Sequence, residues 1–411
     1  MKLLLKAPNK RLHSTIAITG SKSESNRLLL LKAIFPEIQI SNLSNSDDSK
    51  LMEAALVSEK DIIDIHHAGT AMRFLTSFFA TQEGREIVLT GSSRMQERPV
   101  KILVDALSSL GASITYEKNE GYPPLRIKGK RLSKSEVTLK ANVSSQYISS
   151  LLLVGASLEN GINLYLDGEI TSLPYLKMTI ALLEEIGIRC DFNKNHIKVY
   201  PAEVISKTDL VVESDWSSAS YFYSLAALSE EAAITLKSYK EHSLQGDSVL
   251  AEIYQFFGVT TEFENNTIRL IKKQEVNLNR EVLSLDLTEA PDIAQTIAVS
   301  CFGAGKGCHL TGLHTLKIKE TDRLEALKIE LSKLGAKIEV TDKELILQPS
   351  ERIFSGVAID TYHDHRMAMA FAPLALKTNI IINEAEVVSK SYPDFWDDME
   401  KIGFELDYLK S

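Results

Sequence analysis

The sequence predicts an α/β fold (α+β in the wider sense) of two similar domains, each built from three repeated units. Three observations predict it. An amphipathic helix that ends on glycine and runs straight into an alternating strand recurs along the chain. The glycines of those joins, Gly111, Gly187, Gly258, Gly335 and Gly403, are separated by 76, 71, 77 and 68 residues, the near-constant spacing that repeated supersecondary units leave. Small polar clusters, most of them carrying Lys or Arg, stand where apolar helices begin.

In chain order, residues 104–110 close on Gly111 and feed 112–116, and 182–186 close on Gly187 and feed 188–192. Phe256-Phe257-Gly258 precedes 259–263, Leu334-Gly335 precedes 336–340, and Ile402-Gly403 precedes 404–406. Glycine suits the helix C′ position because a left-handed residue without a Cβ costs little there. The alternation that follows fits a half-buried strand. Such joins also occur singly in unrelated folds, and it is the period that favours repetition. A sixth, earlier copy reads at 51–57 and runs directly to 61–65, so its hairpin looks trimmed. Six units in 411 residues give two domains of three. No linker rich in Pro, Gly or Ser divides them, and the break falls near Val212-Glu213-Ser214-Asp215. Residues 1–6 are too short and too soon interrupted for a signal peptide and read as a first strand.

A net charge of −9 argues against a nucleic-acid binder, which would show a basic surplus or stripe. No apolar run approaches membrane-spanning length. Cys190, Cys301 and Cys308 are too few and too scattered for a disulfide framework or a zinc site, and they fit a reduced, cytoplasmic setting. An acidic chain that gathers cations locally is focusing field on a site.

The clusters are Lys22-Ser23 with Arg27, Gly69-Thr70 with Arg73, Arg94 with Arg98, Ser144-Ser145-Gln146, Lys319-Glu320 with Arg323, and Asp364-His365-Arg366. Helix starts offer free N–H groups and the positive end of the macrodipole, so they already favour anions. Added cations point to a ligand carrying phosphate and carboxylate groups. Ser23 and Arg27 lie one turn apart, with Lys22 reaching from the loop; Arg offers a planar fork and Lys a point charge. Neither this segment nor 303–307 has the spacing of a nucleotide-binding loop, and the latter reads as a turn. Residues 89–99 end a strand and start a helix with Pro99 in its first turn; Arg94 either meets a ligand or pairs with Glu97 or Glu86. Lys319 and Arg323 share a helix face with Glu320 beside them, and a carboxylate between cations can be tuned for proton transfer. His365 reads as a proton shuttle or as a buried packing residue. Ser144-Ser145-Gln146, Ser217-Ser218 and Asp292 each fit ordinary helix capping.

Together these strings resemble the 5-enolpyruvylshikimate-3-phosphate synthase family of enolpyruvyl transferases. The resemblance runs from Lys22–Arg27 to Lys390 in Ser389-Lys390-Ser391-Tyr392-Pro393-Asp394. Its most specific strings are 68–73, 89–99, 319–323 and 362–369. It implies βαβαββ repeats and a chain that crosses between domains twice. One domain would be 1–20 plus 213–411, the other 21–212, with a ligand cleft between them that closes on the substrates.

The implied reaction moves the enolpyruvyl group of phosphoenolpyruvate to the 5-hydroxyl of shikimate 3-phosphate. It releases phosphate by addition and elimination through a tetrahedral intermediate, with no cofactor and no metal. By the matching motifs, Lys22, Ser23, Arg27, Ser144, Ser145, Gln146, Ser172, Tyr175, Asp292 and Lys319 would hold shikimate 3-phosphate. Phosphoenolpyruvate would be held by Lys22, His67, Gly69, Arg94, Gln146, Glu320, Arg323, Arg366 and Lys390. Asp292 would accept the 5-hydroxyl proton, while Glu320 with Lys22 would move the methylene proton, assisted by Lys390 or His365.

Three positions depart from the commonest pattern: His67 stands where many members have Asn, and Thr315 and Leu173 replace an Asn and a Lys. A neutral His67 still donates one hydrogen bond, so activity is expected to survive. Phosphoenolpyruvate affinity, its pH dependence and glyphosate sensitivity are the properties these changes bear on. The expected protein is a cytoplasmic monomer acting on two small molecules, away from nucleic acid and membranes, in aromatic amino-acid biosynthesis. Enolpyruvyl transfer to UDP-N-acetylglucosamine is the close alternative; that enzyme has an Asn after the first Lys and a reactive loop Cys. A non-catalytic anion-binding repeat protein is the more distant one.

Overall fold

The computed structural model describes residues 1–141, 144–168, 170, 173–273, 281–350 and 352–409. The chain forms two compact units, Met1–Thr19 with Glu213–Ser411, and Gly20–Val212.

Within Gly20–Val212, strand Ile62–Asp64 runs parallel to Glu86–Thr90, which pairs antiparallel with Leu125–Lys128, and Ser113–Tyr116 completes the edge. Helix Gly69–Thr81 connects the parallel pair, and Lys101–Ser109 leads into the hairpin. The order is βαβαββ. The same order recurs with strands Glu136–Lys140, Ile162–Asp167, Cys190–Asn193 and His196–Val199 and helices Ser145–Gly155 and Leu173–Glu185. A third, shorter sheet has only Asp209–Val211 parallel to Gln39–Ser41. The strand that follows helix Asp47–Leu56 opens the next sheet instead of closing this one.

In the other unit one sheet is contiguous in sequence: Val282–Asp286, Gly307–Thr311, Leu345–Leu347 and Ile338–Val340. The other two recruit the chain's beginning. Arg11–Ile16 lies parallel to Glu231–Lys237, and Lys2–Lys6 lies antiparallel between Ile380–Ile382 and Glu405–Leu409. The five joining glycines all have left-handed φ, at 106°, 95°, 75°, 101° and 106° in chain order.

Each unit has its own apolar core. Helices Trp216–Leu228 and Ala294–Gly303 are buried on every side, as helices that are apolar all round must be. Two pairs of their hydroxyls meet each other, Ser220 with Thr296 at 3.0 Å and Ser224 with Ser300 at 2.8 Å. Ser77 and Ser150 do the same at 2.8 Å in Gly20–Val212. Buried hydroxyls are thereby satisfied without interrupting the packing.

Candidate active site

In Gly20–Val212, helix Lys22–Ile34 starts at Lys22 itself, so Lys22 is its first residue and not a loop residue. Its ammonium lies 3.2 Å from Asp48 Oδ2, and Asp48 Oδ1 lies 3.4 Å from His67 Nε2. Asp48 belongs to the first turn of helix Asp47–Leu56, whose N-cap Ser46 accepts from Ser49 N. One carboxylate thus serves two motif residues.

Arg27 points inward and is 2% exposed. It donates to Thr179 Oγ1 at 2.8 Å, Ser23 O at 2.7 Å, Ser149 Oγ at 3.1 Å and Tyr175 O at 3.4 Å. Its guanidinium also packs 5.5 Å from the Phe74 ring centre and 5.8 Å from that of Tyr175. Burial pushes its pKa down to about 10. Arg73 is pushed down to about 10 by burial and then by the neighbouring Arg98 charge. An arginine keeps its charge at neutral pH all the same; the shift records a desolvation cost that nearby acidic groups do not offset.

Ser144 caps helix Ser145–Gly155 by accepting from Gln146 N, and Gln146 Nε2 donates to Thr70 Oγ1 at 3.1 Å. Arg94 pairs with Glu97 at 2.9 Å, both well exposed, a weak contact that a ligand can displace. Pro99 lies ahead of helix Lys101–Ser109 and not in its first turn. Its carbonyl accepts from Tyr147 and Arg73, which holds the chain out of the helix there. Gly69 is the first residue of its helix, and a Cβ on it would lie 2.6 Å from Arg98 Nη1. Ser172 lies outside the described residues.

In the other unit Arg323 is the centre. It is 2% exposed and donates to Asp364 Oδ2 at 2.7 Å, Asp292 Oδ1 at 2.9 Å and Glu320 Oε2 at 2.9 Å. Burial works against its charge, but Asp364, Glu320 and Asp292 outweigh it and raise the pKa. Asp292 also faces Lys319 at 3.4 Å and Arg366 at 3.4 Å. It does not cap the following helix, which has no side-chain cap. Lys319 and Glu320 precede helix Arg323–Lys333, because Asp322 accepts from Glu325 N and starts the helix there. They therefore share no helix face with Arg323; they converge with it on Asp292 and on its own guanidinium.

Asp364 is fully buried and caps helix His365–Phe371 by accepting from Arg366 N at 2.9 Å. The two residues before it, Tyr362 and His363, both have left-handed φ, 54° and 55°. Non-glycine residues held that way cost on the order of 1–3 kcal/mol each and persist where surroundings over-determine them. Here Lys390 Nζ donates to His363 O at 2.8 Å. His365 is 3% exposed, with Nδ1 3.9 Å from Asp364 Oδ1.

Sequence reasoning missed Asp48, Ser217 and Asp247. Ser217 accepts from Arg366 Nη2 at 3.2 Å and donates to Asp247, while Asp215 performs the capping at Ser218 N. Burial, and next Asp292, push the Asp247 carboxyl up to about 7 against the pull of Arg366. Asp48 and Asp247 both sit in first turns, where an acidic residue reads as a cap. Among the described residues no three His, Cys, Asp or Glu side chains group as a metal site.

A model of the family EPSP synthase (3-phosphoshikimate 1-carboxyvinyltransferase) matches residues 53–399. The chain belongs to the EPSP synthase family. A relative named 3-phosphoshikimate 1-carboxyvinyltransferase, from Bacteroides fragilis, is 47% identical over 411 residues, covering 99% of each chain. One of the same name from Paraburkholderia phytofirmans is 36% identical, covering 97% of this chain and 98% of its own. Among solved structures, EPSP synthase from Acinetobacter baumannii superposes with a TM-score of 0.81 at 23% identity, covering 99% of this chain and 100% of the other. That likeness bears on the fold. The βαβαββ sheets described above are those of an EPSP synthase, and the relatives' shared name is that of a transferase.

Proposed function

We propose that this chain transfers the enolpyruvyl group of phosphoenolpyruvate to the 5-hydroxyl of shikimate 3-phosphate, with the roles divided between its two clusters. The observation that carries the division is Arg323 holding Asp292 and Glu320 on one guanidinium. Two carboxylates fixed side by side, with Lys319 and Arg366 adjoining, suit a reaction that needs proton transfer at two atoms.

In the addition step the 5-hydroxyl oxygen bonds to C2 of phosphoenolpyruvate and gives its proton to Asp292, while the methylene carbon gains a proton from Glu320, supported by Lys22. In the elimination step the C2–O bond to phosphate breaks, the departing phosphate carries off the proton that Asp292 took, and Glu320 takes a proton back from the methyl group. The products are the enolpyruvyl ether and phosphate. Lys22, Ser23, Arg27, Ser144, Ser145, Gln146, Ser172, Tyr175 and Lys319 hold shikimate 3-phosphate. For Arg27, the long bond to Tyr175 O is the one a ligand oxygen replaces. Lys22, His67, Gly69, Arg94, Gln146, Arg323, Arg366 and Lys390 hold phosphoenolpyruvate, and Lys390 or His365 assists proton transfer. Orientation and fixed positive charge supply the catalysis. The proposed domains are the two compact units, Met1–Thr19 with Glu213–Ser411, and Gly20–Val212. The enzyme works as a cytoplasmic monomer without nucleic acid, a reading supported by its net charge of −9; no helix among the described residues is long and apolar enough to cross a membrane.

Phosphate release from phosphoenolpyruvate, measured with shikimate 3-phosphate and separately with UDP-N-acetylglucosamine, tests the acceptor. Release only with the UDP-sugar, or with neither, overturns the proposal. The cysteines favour the first acceptor: burial, then Glu184 and Asp191, push the Cys190 thiol up to about 12, and Cys301 and Cys308 are buried. A thiol so placed makes a poor nucleophile.

A second expected outcome concerns Gly69→Ala. The new methyl group must push the Arg98 guanidinium aside. A flexible side chain yields easily, so unfolding free energy should change by less than about 1 kcal/mol. The KM for phosphoenolpyruvate should rise several-fold or more, whereas an unchanged KM would remove Gly69 from that subsite.

A further inference from the structure

We propose that Asp48 is a shared counter-ion through which His67 sets how freely the Lys22 ammonium can engage substrate. Phosphoenolpyruvate affinity then follows the protonation of His67. The inference rests on the proposed reaction only for its kinetic consequence; the coupling itself is a property of the three side chains.

The geometry is a fork. Asp48 turns Oδ2 to Lys22 at 3.2 Å and Oδ1 to His67 at 3.4 Å. The Asp48 side chain is 10% exposed, so its pull is little screened; those of His67 and Lys22 are 37% and 25% exposed, although His67 Nε2 itself is buried. With His67 neutral, Lys22 faces that carboxylate as a full cation. Protonated His67 takes a share of the same charge, loosening Lys22, and adds positive field of its own. An Asn at this position would hydrogen-bond but could not titrate.

The charged neighbours are Glu24 in the Lys22 helix, Asp47 beside Asp48, and Asp64 facing His66 at 3.8 Å. On the Gly69 side they are Arg73, donating to Gly69 O, and Arg98. Ordinary carboxylates and guanidinium groups titrate outside pH 5.5–8.5, whereas an imidazole changes its charge within that range. His66, next in sequence, is also an imidazole, and a single substitution at 67 separates the two.

Two measurements test the coupling. The first is KM for phosphoenolpyruvate in the wild-type enzyme and in His67→Asn from pH 5.5 to 8.5. The ratio of the two cancels titration of the substrate's own phosphate. The wild-type-to-variant ratio should fall about two- to five-fold from high to low pH, as befits a partly exposed ion pair. A KM ratio independent of pH overturns the proposal. The second needs no turnover: the titration midpoint of His67, followed by proton NMR and assigned by the signal missing from His67→Asn. Asp48→Asn should lower that midpoint by about half a pH unit or more, and Lys22→Ala should raise it. A midpoint unmoved by both overturns the coupling whatever the enzyme's reaction. Shifted midpoints in an enzyme that does not use phosphoenolpyruvate would sink the reaction and leave the coupling standing.

Discussion

Arg323→Ala is expected to destabilise the protein by about 3–5 kcal/mol and to abolish turnover. Its side chain is 2% exposed and joins Asp364, Asp292 and Glu320, two of which are themselves largely buried. Removing one partner of a buried ion cluster costs more than the cluster's net worth, because uncompensated charge stays behind. Asp364 would be stranded at 0% exposure while still capping helix His365–Phe371. Arg323→Lys should recover only part of the loss, since one ammonium cannot make three divergent planar bonds. Urea unfolding followed by fluorescence measures both variants. A midpoint change worth less than about 1 kcal/mol for Arg323→Ala would mean that the acidic side chains reorganise cheaply, and the pre-built cluster would lose its meaning.

Glu320→Ala separates chemistry from architecture. Arg323 retains Asp364 and Asp292 in this variant, and the Glu320 side chain is 33% exposed, so the fold should lose no more than about 1 kcal/mol. Turnover should nevertheless fall on the order of 10²–10⁴-fold, the range for loss of a general acid–base group. Binding of shikimate 3-phosphate, measured by calorimetry, should stay within a few-fold of wild type. Loss of binding comparable to the loss of turnover would make Glu320 a structural residue.

The repeat was legible because its punctuation is chemical. Gly111, Gly187, Gly258, Gly335 and Gly403 mark the left-handed residue that ends a helix, and nothing in tertiary context overrides a φ that other side chains resist. The motif clusters were visible as cations gathered near helix starts, a pattern that points to anions but does not by itself assign them a ligand. What the sequence hid was partnership. Asp48 and Asp247 read as first-turn acids, and only the fold brings them to Lys22 and, through Ser217, to Arg366. Helix bounds at Lys319–Arg323 and at Pro99 slipped by a few residues because capping by Asp322 and carbonyl bonds at Pro99 are local choices that periodicity does not record. The direction of Arg27 was likewise closed to sequence: a guanidinium saturated by Thr179, Ser149 and two carbonyls looks the same on paper as one waiting for a ligand.

The first strand has a consequence for how the molecule is made. Lys2–Lys6 is an interior strand whose two neighbours, Ile380–Ile382 and Glu405–Leu409, are the last strands to be synthesised. At about 5–20 residues per second on the ribosome, this segment waits roughly 20–80 s with both edges unpaired. Gly20–Val212, contiguous in sequence, can meanwhile fold by itself. The newborn chain therefore carries an apolar strand, Leu3-Leu4-Leu5, ahead of a finished domain, and keeping that strand unattached falls to the two lysines that bracket it. Truncation anywhere before the final strand should release a folded half and an orphaned leader, with no functional fragment in between.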